Sequence, residues 1–530
     1  MSLEQSRYKG PSPAQASEGW RVERMTPASR LYSANGIRTG ADGRIYIAQV
    51  AGSQIDAIDV DSGVIETVSP MGGGIRGPDD LAFDDEGNLY VTEITENRVA
   101  MRKPNGETRV IAGDIHVANP ITVHQGRLIT GELRMGARIM ELDRNGGAPR
   151  VIYEGAPMVN AFDVGPDGKL YFPAQAANEI WRISLDGGEP EVVARNLGVP
   201  DSVKFHPDGY IVSTQVASGQ VLKIDPQTGA QEVLADIGPG LDNVAFVGKR
   251  TFVSHITGSI HEIIAPGNAR PLVNKGFEWP MGLGVQADGT VCAADGMFAY
   301  TVKAGGGATL AGTLFWPGYP GFMRGVAVDG DGSWVVSTAM GTVARWIPGQ
   351  EAALIAGGFK IPMGVAIAPG GAVVFADAGA GKVLSVSNGI VSELARGLDK
   401  PSGVAVASGG VVYVSLPDLG RIVKLVGGQS ETVVDGLGRP EGLAERGGKL
   451  YAVDTRDKKL IEIDTASGAW RAIVEKMPIG APVGIVPLRL GGVGDMCGPM
   501  WTFTGIAAGA DGSLYVSGDA EGSVLAIRPA

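Results

Sequence analysis

A short phrase repeats twelve times along this chain: a turn that carries glycine, an apolar strand, and a small or polar residue where the strand ends. Examples are DGRIYIAQ, EGNLYVTE, DGKLYFPA, DGTVCAAD and DGSLYVSG. A period of roughly 40 residues built from short strands and tight turns is typical of propeller blades, because a four-stranded sheet buries its faces only against neighbouring copies. The turn glycines recur every 38 to 44 residues, except for a last step of 64, at Gly43, Gly87, Gly126, Gly168, Gly209, Gly248, Gly289, Gly332, Gly371, Gly410, Gly448 and Gly512.

Twelve repeats predict an all-β chain with two six-bladed β-propellers, since one propeller rarely holds more than about eight blades. Each blade is expected to be a four-stranded sheet. In the second repeat the strands are LAF (81–83), NLYVTE (88–93), RVAMRK (98–103) and TRVIAG (108–113), from the axis outwards. The length of 530 residues and the hydrophobic content of 44% suffice for two large cores.

The two ends of the chain suggest how one ring is closed. The last repeat has no fourth strand after 523–527, whereas residues 20–25 look like a fourth strand that precedes the first repeat. We expect this strand to complete the last blade and cover its open edge. This predicts a first propeller of 26–236 plus 501–530 and the strand 20–25, a second propeller of 237–476, and a crossover segment at 477–500. A simple tandem division into 1–277 and 278–530 remains the alternative.

Composition excludes some classes of function. The net charge of −12 and the pI near 5.1 disfavour nucleic-acid binding, which requires a basic face. The N-terminal region lacks the apolar core of a signal peptide, and no run of eighteen apolar residues occurs, so we expect no membrane association and a cytoplasmic location. Two cysteines provide no disulfide framework.

The residue just before each innermost strand is expected to face the central channel. In the first six repeats this residue always carries a side-chain amide or carboxylate: Asn35, Asp79, Asn119, Asn160, Asp201 and Asp242. Such oxygens on one axis, with Asp242 joining only if blade six belongs to the same ring, form a hard donor set suited to a divalent cation such as Ca²⁺, and we expect four of them plus water to bind it. The alternative is that Asn and Asp only start strands, where they bond nearby backbone.

The second six repeats break this pattern, with Met281, Arg324, Met363, Ser402, Glu441 and Thr504 at the same position. Here the sequence predicts a plugged, mainly apolar mouth. Arg324 and Glu441 are three blades apart, so we expect them to face each other as an ion pair.

The phrases SANGIRTGADGRIYIA (33–48), VPDSVKFHPDGYIVST (199–214) and LDNVAF (241–246) resemble the six-bladed calcium propellers, the family of gluconolactonase, senescence marker protein and diisopropyl fluorophosphatase. The resemblance implies one divalent cation on the axis of the first propeller. The family's initial glutamate ligand is missing, and Asn35 takes its place. NLYVTEITENRV (88–99) also resembles streptogramin-lyase repeats, and the remaining repeats resemble NHL-type repeats, many of which only bind partners.

Four further residues are candidates for proton transfer. Glu93 and Glu132 follow second strands and could reach over the top face of the first propeller. His116, on the loop before Asn119, is the first candidate for a general base, and His255 is the second. The aspartates at the equivalent position in the second propeller resemble the aspartate that braces a turn in NHL repeats.

These features lead to one functional hypothesis with two alternatives. We expect a metal-dependent hydrolase or lactonase that acts on a small ester or lactone at the top of the first propeller. The alternatives are a lyase that acts on a cyclic ester and a non-catalytic binding scaffold, with the second propeller available for a protein partner or self-association.

Overall fold

The computed structural model describes residues 6–305 and 307–530, and nearly all regular structure in them is β-sheet. Twelve antiparallel sheets follow one another along the chain, and each has four strands except the eleventh, which has a fifth. The turn glycines permit the tight connections, since Gly87 and Gly512 have φ of 80° and 92°. The predicted fold class of two six-bladed propellers is confirmed.

The chain divides into two compact units. The N-terminal propeller comprises Arg30–Lys275 together with Leu490–Met496. The C-terminal propeller comprises the segment up to Ser29, then Gly276–Arg489 and Cys497–Ala530.

The N-terminal propeller contains blades one to six, whose strands are given from the axis outwards. Blades one to three are Ile37–Thr39, Ile45–Gln49, Gln54–Ile58 and Ile65–Ser69; Pro78–Phe83, Leu89–Glu93, Arg98–Arg102 and Thr108–Ala112; and Ala118–His124, Arg127–Glu132, Met135–Leu142 and Arg150–Pro157. Blades four to six are Asp163–Val164, Lys169–Ala174, Glu179–Ser184 and Glu191–Ala194; Lys204–Phe205, Ile211–Thr214, Gln220–Ile224 and Gln231–Asp236; and Leu241–Val247, Arg250–His255, Ser259–Ala265 and Asn268–Val273.

The C-terminal propeller contains blades seven to twelve. Blades seven to nine are Leu283–Val285, Val291–Asp295, Phe298–Val302 and Ala308–Thr313; Met323–Val328, Trp334–Thr338, Thr342–Trp346 and Ala353–Gly357; and Pro362–Ile367, Val373–Asp377, Lys382–Ser387 and Ile390–Arg396. Blade ten is Val404–Val406, Val412–Leu416, Arg421–Val426 and Gln429–Val434. Blade eleven is Pro440–Arg446, Lys449–Asp454, Lys459–Asp464 and Trp470–Glu475, and Gln15–Ala16 adds a fifth strand to it. Blade twelve is Ile506–Ala508, Leu514–Gly518, Ser523–Pro529 and Trp20–Arg24.

Short elements complete the chain. Arg489–Leu490 pairs with Met500–Trp501 in a two-stranded sheet, and three single turns of 3₁₀ helix lie at Ile94–Glu96, Gln175–Ala177 and Pro417–Leu419. Within the described ranges, no helix has the length and apolar character needed to cross a membrane.

Blade twelve takes its outer strand from the other end of the chain. Trp20–Arg24 pairs antiparallel with Ser523–Pro529, in the register Val22 to Ile527 and Arg24 to Leu525. This is the pairing that the missing fourth strand of the last repeat predicts. The added strand also covers apolar surface, because Trp20 and Val22 pack against the core shared by blades eleven and twelve.

The structure corrects the expected distribution of blades between the two rings. Blade six belongs with blades one to five, and blade twelve belongs with blades seven to eleven, so the ring boundary lies near residue 276 and not at 237. Ile37 and Ile47 of blade one share a buried core with Ala245, Phe252 and Ile260 of blade six. This packing, with hydrogen bonds such as that from Thr39 Oγ1 to the Phe246 carbonyl at 2.6 Å, closes the N-terminal ring without a strand exchanged between blades. The alternative of a simple tandem division into 1–277 and 278–530 predicted this boundary. It placed the segment before Ser29 in the N-terminal propeller, whereas this segment belongs to the C-terminal propeller.

Candidate functional site

The six residues expected at the mouth of the N-terminal channel come together as the sequence predicts. Each lies within three residues of the start of an innermost strand, and their exposed fractions are between 3% and 8%. Neighbouring blades are linked through them: Asn35 Nδ2 donates to Asp242 Oδ2 at 3.3 Å, and Asn119 Nδ2 donates to Asn160 Oδ1 at 2.9 Å. The ring is therefore a set of contacting polar side chains.

Three carboxylates of this ring lie buried at the same level. Asp79 in blade two and Asp201 in blade five are on opposite sides of the axis, and Asp242 in blade six is next to Asp201. Burial, together with the charge of Asp80, raises the pKa of Asp79 to about 8. Burial and the charge of Asp79 also raise the pKa of Asp201, and burial with the charges of Asp201 and Asp79 does the same for Asp242. The site therefore disfavours three negative charges in the absence of a positive partner.

A second polar layer lies next to this ring, and the sequence analysis did not identify it. Asp80 Oδ1 accepts from Asn243 Nδ2 at 3.1 Å, and its Oδ2 accepts from the backbone N–H of Ile121 at 3.1 Å. The buried Lys204 donates to the carbonyl of Phe162 at 2.9 Å. Burial lowers the pKa of Lys204 to about 8. The signal was present in the sequence, because Asp80 and Asn243 directly follow ring residues.

The donor atoms decide how well the ring fits a cation. In the parts of the chain that the structure describes, no group of three or more His, Cys, Asp and Glu side chains is arranged to hold a metal ion, so a site here needs amide oxygens as well. Asn119 Oδ1 is buried and has no hydrogen-bond partner within the described residues. In contrast, Asn35 Oδ1 accepts from the N–H of Val50 at 3.2 Å and Asn160 Oδ1 accepts from the N–H of Ala161 at 2.8 Å.

Of the predicted six, Asp79, Asn119, Asp201 and Asp242 have side-chain oxygens that are not bonded to backbone N–H groups of the described residues. The three carboxylates among them are not arranged as a metal site in the described structure. The amide oxygens of Asn35 and Asn160 accept hydrogen bonds from backbone N–H groups.

Glu93 and Glu132, which the sequence suggests for proton transfer, hold loops in the structure. Both side chains are fully buried. Glu93 accepts from the N–H of Arg76 at 2.5 Å, and Glu132 accepts from the N–H of His116 at 3.2 Å, so each braces the loop that leads into its own blade. Burial raises the pKa of Glu132, but hydrogen bonds and charge from Arg138 outweigh it and hold the pKa below its usual value.

The same brace occurs in the C-terminal propeller with a shorter side chain. Asp377 accepts from the N–H groups of Lys360 and Ile361 at 3.0 and 2.9 Å, and Asp454 accepts from those of Gly438 and Arg439. Position, and not the choice of Asp or Glu, therefore determines this role.

The two histidine candidates differ sharply. His255 is buried, and its Nδ1 contacts the N–H and the hydroxyl of Thr257 at 3.2 and 2.9 Å. Burial, with a smaller effect from the charge of Lys275, lowers the pKa of His255 to about 3, so the ring stays neutral. His116 is exposed on the loop before Asn119. Of the two, only His116 is on the surface beside the mouth.

The mouth of the C-terminal channel lacks the expected ion pair. Among the ion pairs of the described residues, Arg324 has no carboxylate partner, and Glu441 pairs with Arg439 at 3.1 Å. Arg324 donates to the carbonyls of Pro362, at 2.9 Å, and of Pro499. Arg324 bonds to this carbonyl and not to Glu441 because the segment that carries Pro499 supplies an acceptor. This segment lies outside the repeat, so the repeat does not predict it.

Glycine lines the C-terminal channel, a feature that the sequence analysis also missed. Each of the six axis residues of this propeller is followed by glycine: Gly282, Gly325, Gly364, Gly403, Gly442 and Gly505. A Cβ at any of these positions would lie only 2.1–2.9 Å from a backbone carbonyl oxygen of the next blade. Phe503 lies inside this ring, with its side chain 3.2 Å from the Cβ position of Gly364. The C-terminal axis is therefore narrow, and a cavity of only about 20 Å³ remains between Phe503 and these glycines.

Comparisons with known proteins were made for the whole chain. No family model matches it, and no curated protein matches it. Similar solved structures include a streptogramin B lyase, with 18% identity over 52% of this chain and 96% of that chain, at a TM-score of 0.38. They also include a nidogen/laminin complex, with 19% identity over 41% and 88% and a TM-score of 0.38. A third is virginiamycin B lyase from Staphylococcus aureus, with 15% identity over 64% and 91% and a TM-score of 0.22. These TM-scores are too low to carry an argument about this chain, and the propeller architecture rests on its own twelve sheets.

Proposed function

We propose that the N-terminal propeller binds a divalent cation at its channel mouth and hydrolyses a small ester or lactone there. One observation carries the proposal: three buried carboxylates converge on one axis, and none of them forms an ion pair within the described residues. Buried ionised carboxylates without a cationic partner are costly, and a bound cation removes that cost. The uncommitted oxygen of Asn119 supports the same interpretation.

The residues of the chain would have distinct roles. Asp79, Asn119, Asp201 and Asp242 would hold the cation, which would polarise a bound carbonyl when present. His116 is exposed three residues before Asn119. Its loop is fixed by Glu132, so His116 is the residue that we expect to accept a proton from water.

Cation binding is tested on the full chain. After treatment with a chelator and desalting, the protein is titrated with calcium chloride while thermal unfolding is followed. Calcium should stabilise the parent protein by about 2.7 kcal/mol at a hundredfold excess over its dissociation constant. The double variant Asp79→Asn and Asp201→Asn should lose this effect, whereas the charge-matched exposed control, Asp85→Asn and Asp186→Asn, should retain it. An absence of ion-dependent stabilisation in the parent protein would show that the ring only starts strands.

Catalysis is tested separately with a panel of small lactones and aryl esters, with and without chelator. Hydrolysis that requires calcium and falls in His116→Gln supports the proposal. An unsaturated product formed without addition of water would identify a lyase that acts on a cyclic ester. Ion binding without turnover of any substrate would indicate a binding scaffold.

A further inference from the structure

A cavity of about 410 Å³ lies on the C-terminal propeller, far along the chain from the ring described above. Its floor is formed by the tops of blades ten and eleven and includes Asp418, Arg439 and Arg456. Its wall is residues 481–487, with the sequence APVGIVP, which we call the strap. The cavity is large enough for a small organic molecule.

The strap is held at its beginning by built contacts. The buried Lys458 donates to the carbonyls of Ile479 and Ala481. Gly480 donates its N–H to Asp519 Oδ1 at 2.9 Å, and a Cβ at Gly480 would lie 2.7 Å from Thr455 Cβ. The strap is thus attached to the propeller where it begins.

Beyond this anchor the strap exposes apolar surface. Val483 and Val486 are 72% and 82% exposed, the two highest values among the large hydrophobic residues of the described chain. Both line the cavity. An apolar group bound there would remove this surface from water, which is favourable by about 25 cal/mol for each Å².

The charged side chains that line the cavity are two arginines and one aspartate, Arg439, Arg456 and Asp418. Lys400, in the network around Asp418, also contacts Asp399 at 3.8 Å. Asp418 accepts from Lys400 at 2.8 Å, from Arg489 at 2.7 Å and from Arg439, so three cations surround one carboxylate. Glu441, the second anion beside Arg439, is buried, at 3% exposure. The side chain of Arg456 is 65% exposed, and its contact with Asp457 is 3.3 Å long.

Both arginines that line the cavity retain donor capacity. A guanidinium offers five N–H donors in a planar fork. Arg439 uses Nε for Glu441 and Nη1 for Asp418, and Arg456 uses Nε for Asp457 and Nη2 for the carbonyl of Leu437 at 3.4 Å. Further donors are thus present where a ligand would enter.

We propose that this cavity binds a small organic monoanion with an apolar body. The anionic group would lie against Arg456 and Arg439, and the apolar body would lie against Val483 and Val486 of the strap. Only such a ligand uses both the cationic floor and the apolar wall of the cavity. An inorganic anion has no apolar group to contact the strap, and a neutral apolar molecule has no charged group to bind the arginines.

The test uses the full chain and the fluorescent probe anilinonaphthalene sulfonate, a sulfonate monoanion with apolar rings. We expect saturable binding of one probe per chain at this cavity. The uncharged analogue phenylnaphthylamine should bind at least tenfold more weakly, and hexanoate should compete with the sulfonate probe.

Variants locate the probe. Arg456→Gln and Val486→Asp should each weaken binding at least tenfold, because one removes a donor and the other places a negative charge on the apolar wall. The matched controls, Arg396→Gln and Ile390→Asp, change exposed residues elsewhere on the same propeller and should leave binding unchanged. All four changes are at exposed positions, so folding is preserved and can be checked by circular dichroism. Binding that is unsaturable, equally strong for the neutral probe, or equally weakened by the controls would overturn the proposal.

Discussion

Replacing Gly403 by alanine tests the glycine ring of the C-terminal propeller. The added Cβ would lie 2.1 Å from the carbonyl oxygen of Glu441 and 3.0 Å from the backbone nitrogen of Leu443 in the next blade. Both neighbours are backbone atoms of an inner strand, so no side-chain rotation relieves the clash. Blade eleven must therefore retreat by roughly 1 Å to restore van der Waals contact.

That displacement would disturb a bonded junction between blades. The Gly403 N–H donates to Ser415 Oγ at 2.7 Å, and the Ser415 hydroxyl donates to the Glu441 carbonyl at 2.6 Å. Overpacking of a well-filled site costs about 1–3 kcal/mol, and lengthening these two bonds adds to that cost. We expect Gly403→Ala to reduce the free energy of unfolding of the C-terminal propeller by at least this amount.

The matched control is Gly409→Ala in the same blade, where a Cβ meets nothing within 4 Å. It should be neutral or slightly stabilising. The measurement is urea unfolding of the full chain, followed by hydrogen exchange with mass spectrometry, so that peptides from 30–275 and from 276–489 are scored separately. Only the second set should exchange faster in Gly403→Ala. Equal behaviour of the two alanine variants would refute the argument that the ring requires glycine for close approach.

Two further predictions follow from buried polar groups. Burial lowers the pKa of His255 to about 3 in the folded protein, so the unfolded chain gains a proton first as the pH falls. Stability that is complete above pH about 6.5 should therefore be lost towards pH 3 by up to about 1.4 kcal/mol per pH unit. His255→Gln should flatten this acid limb in denaturation curves, and an unchanged limb would contradict the assignment. Ser415→Ala removes the hydroxyl that bonds both the N–H of Gly403 and the carbonyl of Glu441. It should lower the free energy of unfolding in urea by about 1–3 kcal/mol. A change near zero would show that these two backbone groups form other hydrogen bonds without the hydroxyl.

The candidate site was only partly accessible from the sequence. The phase of the repeat identified the six mouth residues, because each lies six to eight residues before a turn glycine. The sequence did not show that Asn35 and Asn160 use their oxygens for backbone, or that Asn119 does not. The role of Glu132 was also hidden, since Arg138 and the N–H of His116 reach it only through the folded blade.

The sequence by itself determined the blades. Turn glycines, alternating apolar residues and the count of strands are local features, and they also indicated that Trp20–Arg24 serves blade twelve. Only the tertiary structure decided which blades share a ring, because every blade presents similar faces and the choice depends on whether the cores of blades one and six fit each other. Likewise, Arg324 donates to the carbonyl of Pro499 and does not pair with Glu441, because the segment that carries Pro499 has no counterpart in the repeat. Both outcomes depend on packing between segments that are distant along the chain, and the periodicity of the repeat does not encode this packing.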